Sequence, residues 1–130
     1  MTTELMILGW ALVLALVQIM LAGALRTHET GLAYNMGPRD AAAPPVRPIT
    51  ARAQRAQANL FETLPLFAAA VLIAHVAGRE SELTLWGSYA YIAGRVLYVP
   101  LYVFGVPVVR TLAWAVSLAG IVMVLAAILR

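Results

Sequence analysis

Cysteine and lysine are both absent from this chain of 130 residues. Without cysteine there is no disulfide, no thiolate ligand for a metal and no cysteine nucleophile, so any reactive thiol must come from a ligand. Without lysine, Schiff-base chemistry is impossible. The nine basic residues are all arginine, whose guanidinium stays protonated and can bind a carboxylate or phosphate through two parallel hydrogen bonds.

Charged residues of both signs are scarce, at 12% of the chain, whereas hydrophobic residues make up 62%. An average soluble domain carries roughly 25% charged residues, so a soluble fold would have too little polar surface. The mean hydropathy of +0.85 agrees with this. We therefore expect a single integral membrane domain over residues 1–130 that contacts membrane lipids and has no nucleic-acid partner.

Four apolar runs are each long enough for a helix that crosses the hydrocarbon core, which takes about 20 residues. They cover about residues 5–25, 57–77, 83–104 and 108–129. The connections after the second and third runs are short, so the helices that they join must be antiparallel neighbours. The sequence predicts an all-α transmembrane bundle of four helices with up-down topology.

The first run has an alternative interpretation as a cleaved signal peptide, because Ala22 and Ala24 resemble the small residues of a cleavage site. However, this run lacks a basic segment before it and carries Glu4 instead. Its apolar stretch also exceeds the usual length of about 7–15 residues. We expect a retained transmembrane helix.

The long connection between the first two runs covers about residues 26–50 and is rich in glycine and proline, which break helices. Its first part should be an irregular loop, and the second helix can extend outward from Ile49 with Thr50 as its N-cap. Arginines near this end outnumber those near the other end, Arg79 and Arg130. The positive-inside rule then places the loop in the cytoplasm and both termini outside, with a bacterial inner membrane as the expected location.

Polar residues recur at helical spacing where the second run begins: Arg52, Arg55, Asn59 and Glu62. At 100° per residue they fall within an arc of about 80° and form one polar stripe. Arg52 and Arg55 could simply anchor the helix at the membrane edge. Glu62 lies about two turns deeper, where a carboxylate is costly unless it is paired or hydrated, so a partner is expected.

The third run supplies a candidate partner, because Arg95 lies on one narrow helical face with a serine and three tyrosines: Ser88, Tyr91, Tyr98 and Tyr102. Arg95 is roughly 13 Å from the cytoplasmic end of this helix, which argues against lipid exposure. The tyrosines could be packing or interfacial aromatics. The simplest structural interpretation is a buried Glu62–Arg95 ion pair that joins two helices.

Arg110 and Thr111 open the fourth run, where Trp114 and Ser117 share the face of Arg110. Polar groups from three helices thus converge in the cytoplasmic half: Arg55, Asn59, Glu62, Arg95, Tyr98, Tyr102 and Arg110. One hydrated cationic cleft for an anionic ligand accounts for them better than separate roles. No metal site is predicted, because the two histidines lack ligand spacing. Gln18, inside the first helix, should form an interhelical hydrogen bond.

The segment from Arg52 to Glu62, RAQRAQANLFE, followed by Pro65, resembles the signature of the MAPEG family, the membrane-associated proteins in eicosanoid and glutathione metabolism. The later pattern RVLY with a following tyrosine, and then Arg110 and Thr111, extends this resemblance to all four predicted helices. Membership of the family implies a homotrimer of four-helix subunits that bind glutathione between neighbours at the cytosolic side.

The resemblance also implies roles for individual residues. The residues that would hold or line glutathione are Arg52, Arg55, Asn59, Glu62, Arg95, Tyr98, Tyr102 and Thr111. Arg110 would stabilise the thiolate and be the catalytic residue, and Arg26 would contribute near the site. The sequence departs from the family's common pattern at several positions: Ala51, Gln57, Ala58, Tyr98 and Trp114.

The function implied by the resemblance is that of a glutathione-dependent membrane transferase or peroxidase that acts on lipophilic electrophiles or hydroperoxides. The alternative is a non-catalytic relative that binds another anionic ligand, such as a lipid head group, and the departures at Ala58 and Tyr98 favour it. A third possibility is a four-helix multidrug exporter. Such proteins use a carboxylate deep in the first helix, where this chain has only Gln18.

Overall fold

A computed structural model describes residues 1–40 and 45–130 of the chain. Over these residues the protein is entirely helical and has no strand. The helices are α1 (Thr3–Thr30), α2 (Leu32–Met36), α3 (Pro48–Val76), α4 (Glu82–Val103) and α5 (Pro107–Leu129). The predicted all-α class is confirmed. Residues 41–44 of the expected long loop lie outside the described residues.

Three helices, α1, α3 and α5, are long and apolar enough to cross a membrane. The helix α4 has 22 residues, which corresponds to roughly 33 Å of helix. Its composition is more polar than that of the other three, because its buried face carries Thr84, Ser88, Tyr91, Arg95 and Tyr98. The fourth predicted span therefore has sufficient length but not the composition of a helix surrounded by lipid.

The structure differs from the sequence prediction where the first helix ends. Helix α1 continues to Thr30, and α2 follows at once, so the first part of the expected irregular loop is helical. Gly31 separates the two helices with a φ of 90°, a conformation that glycine adopts without steric cost. Asn35 of α2 bonds back to Thr27 at 2.9 Å and to Thr30 at 2.7 Å. These hydrogen bonds stabilise turns that are too polar for a hydropathy criterion to detect.

The start of α3 also differs from the prediction, because Arg47 is the N-cap and Thr50 lies inside the helix. Proline 48 occupies the first turn, where its missing N–H leaves no additional unsatisfied group. The Thr50 hydroxyl donates to Glu29 of α1 at 2.7 Å. Glu29 also accepts from the backbone N–H of Arg47 at 3.0 Å and from its Nε at 2.6 Å. One carboxylate thus ties the end of α1 to the beginning of α3.

Helices α4 and α5 form the most extensive helix–helix contact, and small residues allow their backbones to approach closely. A Cβ atom at Gly94 would lie 2.6 Å from the carbonyl oxygen of Ala113, and one at Gly87 would lie 2.8 Å from that of Gly120. Helix α3 packs against α1, α4 and α5. The resulting core contains Leu60, Phe67 and Tyr91 among its buried members, and large apolar side chains of α1 such as Trp10 face outward.

At the end of the molecule opposite the long loop, polar contacts join three segments. Thr84 of α4 donates to the buried carboxylate of Glu4 in α1 at 2.9 Å. Glu80, which precedes α4, accepts from Thr2 at 2.7 Å and contacts His75 Nδ1 at 3.2 Å. Burial raises the pKa of the Glu80 carboxyl, but the hydrogen bonds with Thr2 and His75 outweigh it and leave this pKa below its ordinary value of 4.5.

Candidate functional site

Arg95 is completely buried near the middle of α4. Its Nη1 donates a hydrogen bond of 2.7 Å to the Asn59 amide oxygen, and its Cζ lies 4.4 Å from the centre of the Tyr98 ring. Its Nε and Nη2 atoms have no hydrogen-bond partner among the described residues. Buried N–H groups of a cation are costly unless an anion or water meets them, so this guanidinium is suited to a ligand.

The predicted Glu62–Arg95 ion pair is wrong for a single chain. Glu62 is exposed on α3, and the residue of α3 that meets Arg95 is Asn59. Three residues along a helix correspond to 300°, which leaves Glu62 roughly 60° away from Asn59 around the axis. No carboxylate in the described part of the chain neutralises Arg95.

Two further arginines meet at Tyr102, toward the cytoplasmic end of α4 as predicted from the charge distribution. Arg55 of α3 donates from Nε to the Tyr102 hydroxyl at 3.0 Å. The Cζ of Arg110 in α5 lies 4.7 Å from the centre of the Tyr102 ring. Tyr98, one turn away, has its ring centre 5.3 Å from that of Tyr102. Three helices therefore supply guanidinium groups and phenols to one region.

A cleft of about 300 Å³ opens beside these tyrosines. Its walls are Asn59, Tyr98, Tyr102, Arg110, Thr111 and Trp114. Clefts that hold small molecules begin at roughly this volume. Trp114 was not among the predicted site residues, although its position one turn after Arg110 is a signal for the same face. An indole beside a guanidinium and phenols gives the cleft one apolar wall and several hydrogen-bond donors.

Two residues of the predicted site lie elsewhere. Arg52 donates from Nη1 to the carbonyl oxygen of Val103 at 3.4 Å, and its side chain lies against Gly105. There it interacts favourably with the carbonyl end of α4. Glu62 is exposed and does not line the cleft of this chain.

Other residues on the stripe of α4 have structural roles. The Tyr91 hydroxyl is 3.0 Å from that of Thr63, and its ring stacks on Phe67 with 4.0 Å between centres. The Ser88 hydroxyl donates to the Thr84 carbonyl at 2.8 Å. These contacts agree with the packing interpretation of Tyr91. Gln18 differs from the prediction, because it is buried and neither polar atom of its side chain has a hydrogen-bond partner in the described residues.

Comparison with known proteins places these observations in context. The sequence profile of the MAPEG family matches residues 7–130, nearly the whole chain. Searches of curated proteins and of solved structures each found no match. Every residue that lines the cleft falls inside the matched region.

Proposed function

Because this chain belongs to the MAPEG family over residues 7–130, we propose that it is a glutathione-dependent membrane transferase or peroxidase that acts on lipophilic electrophiles or hydroperoxides. The observation that carries the proposal is the uncompensated charge of Arg95, buried beside a cleft. Arg55 and Arg110 add two more cations within the same region. A site built in this way favours an anionic ligand with more than one negative group.

Glutathione fits this donor set, since it carries two carboxylates, one ammonium group and a thiol. Guanidinium groups bind carboxylates through two parallel hydrogen bonds. In this proposal Arg55, Arg95 and Asn59 hold the polar ends of glutathione. The tyrosines and Thr111 line the site, and Arg110 meets the sulfur.

The chemistry requires a thiolate, which is the nucleophilic form of the thiol. An unperturbed thiol with a pKa near 8.5 is only a few per cent ionised at neutral pH. A guanidinium beside the sulfur favours the thiolate, and a pKa lower by about two units corresponds to ~2.7 kcal/mol. Arg110 is the group proposed to supply this stabilisation. The first turn of α5 adds the positive end of the helix dipole.

Two substrate classes follow from the same thiolate. With an electrophile such as an aryl halide, sulfur forms a bond to carbon and the halide leaves with the bonding electrons. With a hydroperoxide, sulfur attacks the terminal oxygen and the O–O bond breaks. The alcohol then leaves, and a second glutathione reduces the sulfenic product to a disulfide and water. The apolar wall at Trp114 suits a substrate that arrives from the bilayer.

The proposed assembly is a homotrimer of transmembrane four-helix bundles in a bacterial inner membrane, with the long loop in the cytoplasm. In support, α1 carries a wide exposed apolar face, while α4 is long enough to span and keeps its polar residues inward. Exposed Glu62 is then available to a ligand held between subunits.

A second candidate is a non-catalytic member that binds another anion, such as a lipid head group. Two features favour it: Ala58 stands on the exposed surface of α3, and Tyr98 packs on Arg95. These are positions where other members of the family often have arginine and histidine.

Calorimetric titration of the detergent-solubilised protein with glutathione tests the proposal, with turnover of a chlorinated nitrobenzene as the second measurement. We expect saturable binding and thiol-dependent turnover. Saturable binding of glutathione without turnover of either substrate class would favour the non-catalytic candidate. Absence of binding at millimolar glutathione would remove glutathione as the ligand.

A further inference from the structure

Two buried side chains from different helices have unsatisfied polar atoms. Gln18 of α1 is 2% exposed, and its Oε1 and Nε2 atoms have no hydrogen-bond partner within the described residues. Arg95 of α4 is 0% exposed, and its Nε and Nη2 atoms share this condition. A buried amide and a buried guanidinium each lose considerable free energy if they stay unpaired, so their relative positions need to be established.

The contacts between α1 and α4 locate Gln18 along α4. Glu4 meets Thr84 at one end of the pair, while Ala22 belongs to one apolar cluster with Val99 and Val103 toward the other end. The two helices therefore run in the same direction. Gln18 follows Glu4 by 14 residues, and the same step from Thr84 reaches position 98, which is three residues, or roughly 4.5 Å of rise, from Arg95.

The contacts between α1 and α3 give a second, independent position. Glu29 meets both Arg47 and Thr50 where the two antiparallel helices face each other. Gln18 precedes Glu29 by 11 residues, and the same step from Arg47 and Thr50 reaches positions 58 and 61. Asn59, which accepts the hydrogen bond of Arg95, lies between these positions.

We infer that Gln18, Asn59 and Arg95 form one buried polar network, in which water bridges the amide of Gln18 to the free N–H groups of Arg95. A buried water needs about two to four polar partners. Four unsatisfied atoms are available, because Gln18 Oε1 accepts and the other three donate. Water is required as the bridge, since the two side chains make no direct hydrogen bond.

This network makes Gln18 a positioning residue, since it orients the guanidinium without neutralising it. Asn59 and Gln18 are both neutral amides, so the full positive charge of Arg95 stays available to an anion in the cleft. A carboxylate at either position would compensate that charge instead. The consequence for anion binding rests on the proposed function, whereas the network itself does not.

The sign of a stability change tests the network. If Gln18 is an isolated buried amide, Gln18→Leu removes an unsatisfied polar group and raises the melting temperature. If Gln18 supports Arg95 through water, the same change leaves Arg95 less satisfied and lowers it. We expect a decrease of several degrees in detergent. Gln18→Glu should melt no lower than the wild type, because its carboxylate meets two free N–H groups, and a pronounced decrease would overturn the inference.

A double-mutant cycle measures the coupling itself. Gln18→Leu and Arg95→Met should be non-additive, since either change alone disrupts the network. Thr84→Val is the matched control, because Thr84 also makes a buried polar contact between α1 and α4 but lies 11 residues from Arg95. It should be additive with Arg95→Met, and additivity for Gln18→Leu as well would overturn the inference. If Arg95→Met does not fold, the opposite signs expected for the two Gln18 variants still decide.

Anion affinity distinguishes positioning from simple structural support. Glutathione should bind Gln18→Glu roughly tenfold more weakly than wild type, although the variant keeps its melting temperature. An unchanged affinity would overturn the positioning role. If glutathione fails to bind the wild type, the proposed function fails, while the melting experiments, which use no ligand, still decide whether the network exists.

Discussion

The guanidinium of Arg95 and the amide oxygen of Asn59 are joined by a hydrogen bond of 2.7 Å between α4 and α3. A fully buried cation is thus held by a neutral side chain. A carboxylate partner would stabilise the resting protein more directly but would reduce the electrostatic attraction for an anionic ligand. The pairing favours binding at some expense of stability.

Asn59→Leu should lower the free energy of unfolding by roughly 1.5–3 kcal/mol, because the change removes a hydrogen bond to a buried charged group. Urea denaturation in mild detergent measures this change. Gln57→Leu is the control, since Gln57 is a half-buried amide on the same helix without a side-chain hydrogen bond to Arg95. Equal effects of the two substitutions would mean that the Asn59 bond contributes little.

Arg110→Ser should raise the pKa of the bound glutathione thiol toward about 8.5 and remove most turnover of a chlorinated nitrobenzene. The reason is the loss of the guanidinium proposed to stabilise the thiolate. Thiolate absorbance in the far ultraviolet, followed against pH at saturating glutathione, measures the pKa directly. An identical thiol pKa in wild type and variant would eliminate this role for Arg110.

Arg55→Ser should raise KM for glutathione more than it lowers kcat. Arg55 holds the Tyr102 hydroxyl at 3.0 Å and is proposed to bind a carboxylate remote from sulfur. Such a contact contributes equally to the ground state and the transition state. Steady-state kinetics at varied glutathione separate the two constants, and a loss confined to kcat would contradict the assignment.

Gly94→Ala should destabilise the protein by roughly 1–3 kcal/mol. Its new Cβ would lie 2.6 Å from the carbonyl oxygen of Ala113 and 2.8 Å from the backbone nitrogen of Ser117, neither of which is a flexible side-chain atom. Gly23→Ala is the control, because Gly23 lies in α1 with nothing within 4 Å of the added atom. That change should stabilise the helix by roughly 0.5–1 kcal/mol. Thermal unfolding of both variants would show opposite shifts.

Stability should also depend on Glu80 at acidic pH. Because hydrogen bonds with Thr2 and His75 lower the pKa of Glu80 below 4.5 despite burial, its contribution is complete above pH 4.5. It is lost as pH falls through the lower pKa of the folded state. Wild type should therefore melt above Glu80→Gln near neutral pH, by less than about 1 kcal/mol. The two should converge under acid, and a difference that grows as pH falls would contradict this sign.

A homotrimer should be the main species in detergent. The proposal rests on family membership and on the uncompensated Arg95, which a complete site between subunits would bring closer to its ligand. Light scattering combined with refractive index and absorbance measures the protein mass without the detergent. A monomer or dimer as the sole species would contradict it.

Much of the helical architecture follows from hydropathy, and the errors have a common cause. Apolar runs located the central turns of the long helices, because those turns contact lipid or the core. The extension of α1 to Thr30 could not be found this way, since its last turns are polar and owe their stability to hydrogen bonds with Asn35 of α2. Hydropathy reports the membrane boundary, and a helix can continue past it.

The candidate site was predictable to the level of a helical face but not of a partner. Helical spacing placed Asn59 and Glu62 on one stripe opposite Arg95. The partner then depended on the rotation of α3 about its axis, which side-chain packing determines. Gln18 was noticed as polar, yet the position of α1 relative to Arg95 depends on contacts at both ends of the helix, through Glu4 and Glu29. Periodicity in one segment contains no such information.

The three hydrogen bonds that Glu29 accepts have a practical consequence for how the polypeptide can be divided. Because Glu29 joins α1 directly to Arg47 and Thr50, the covalent connection between these helices is not the sole link between them. A gene split between codons 38 and 46 should yield two fragments that reassemble in the membrane. Glu29→Gln should weaken that complementation more than it weakens the intact protein. Reporter halves fused at the break would then report assembly from the cytoplasmic side.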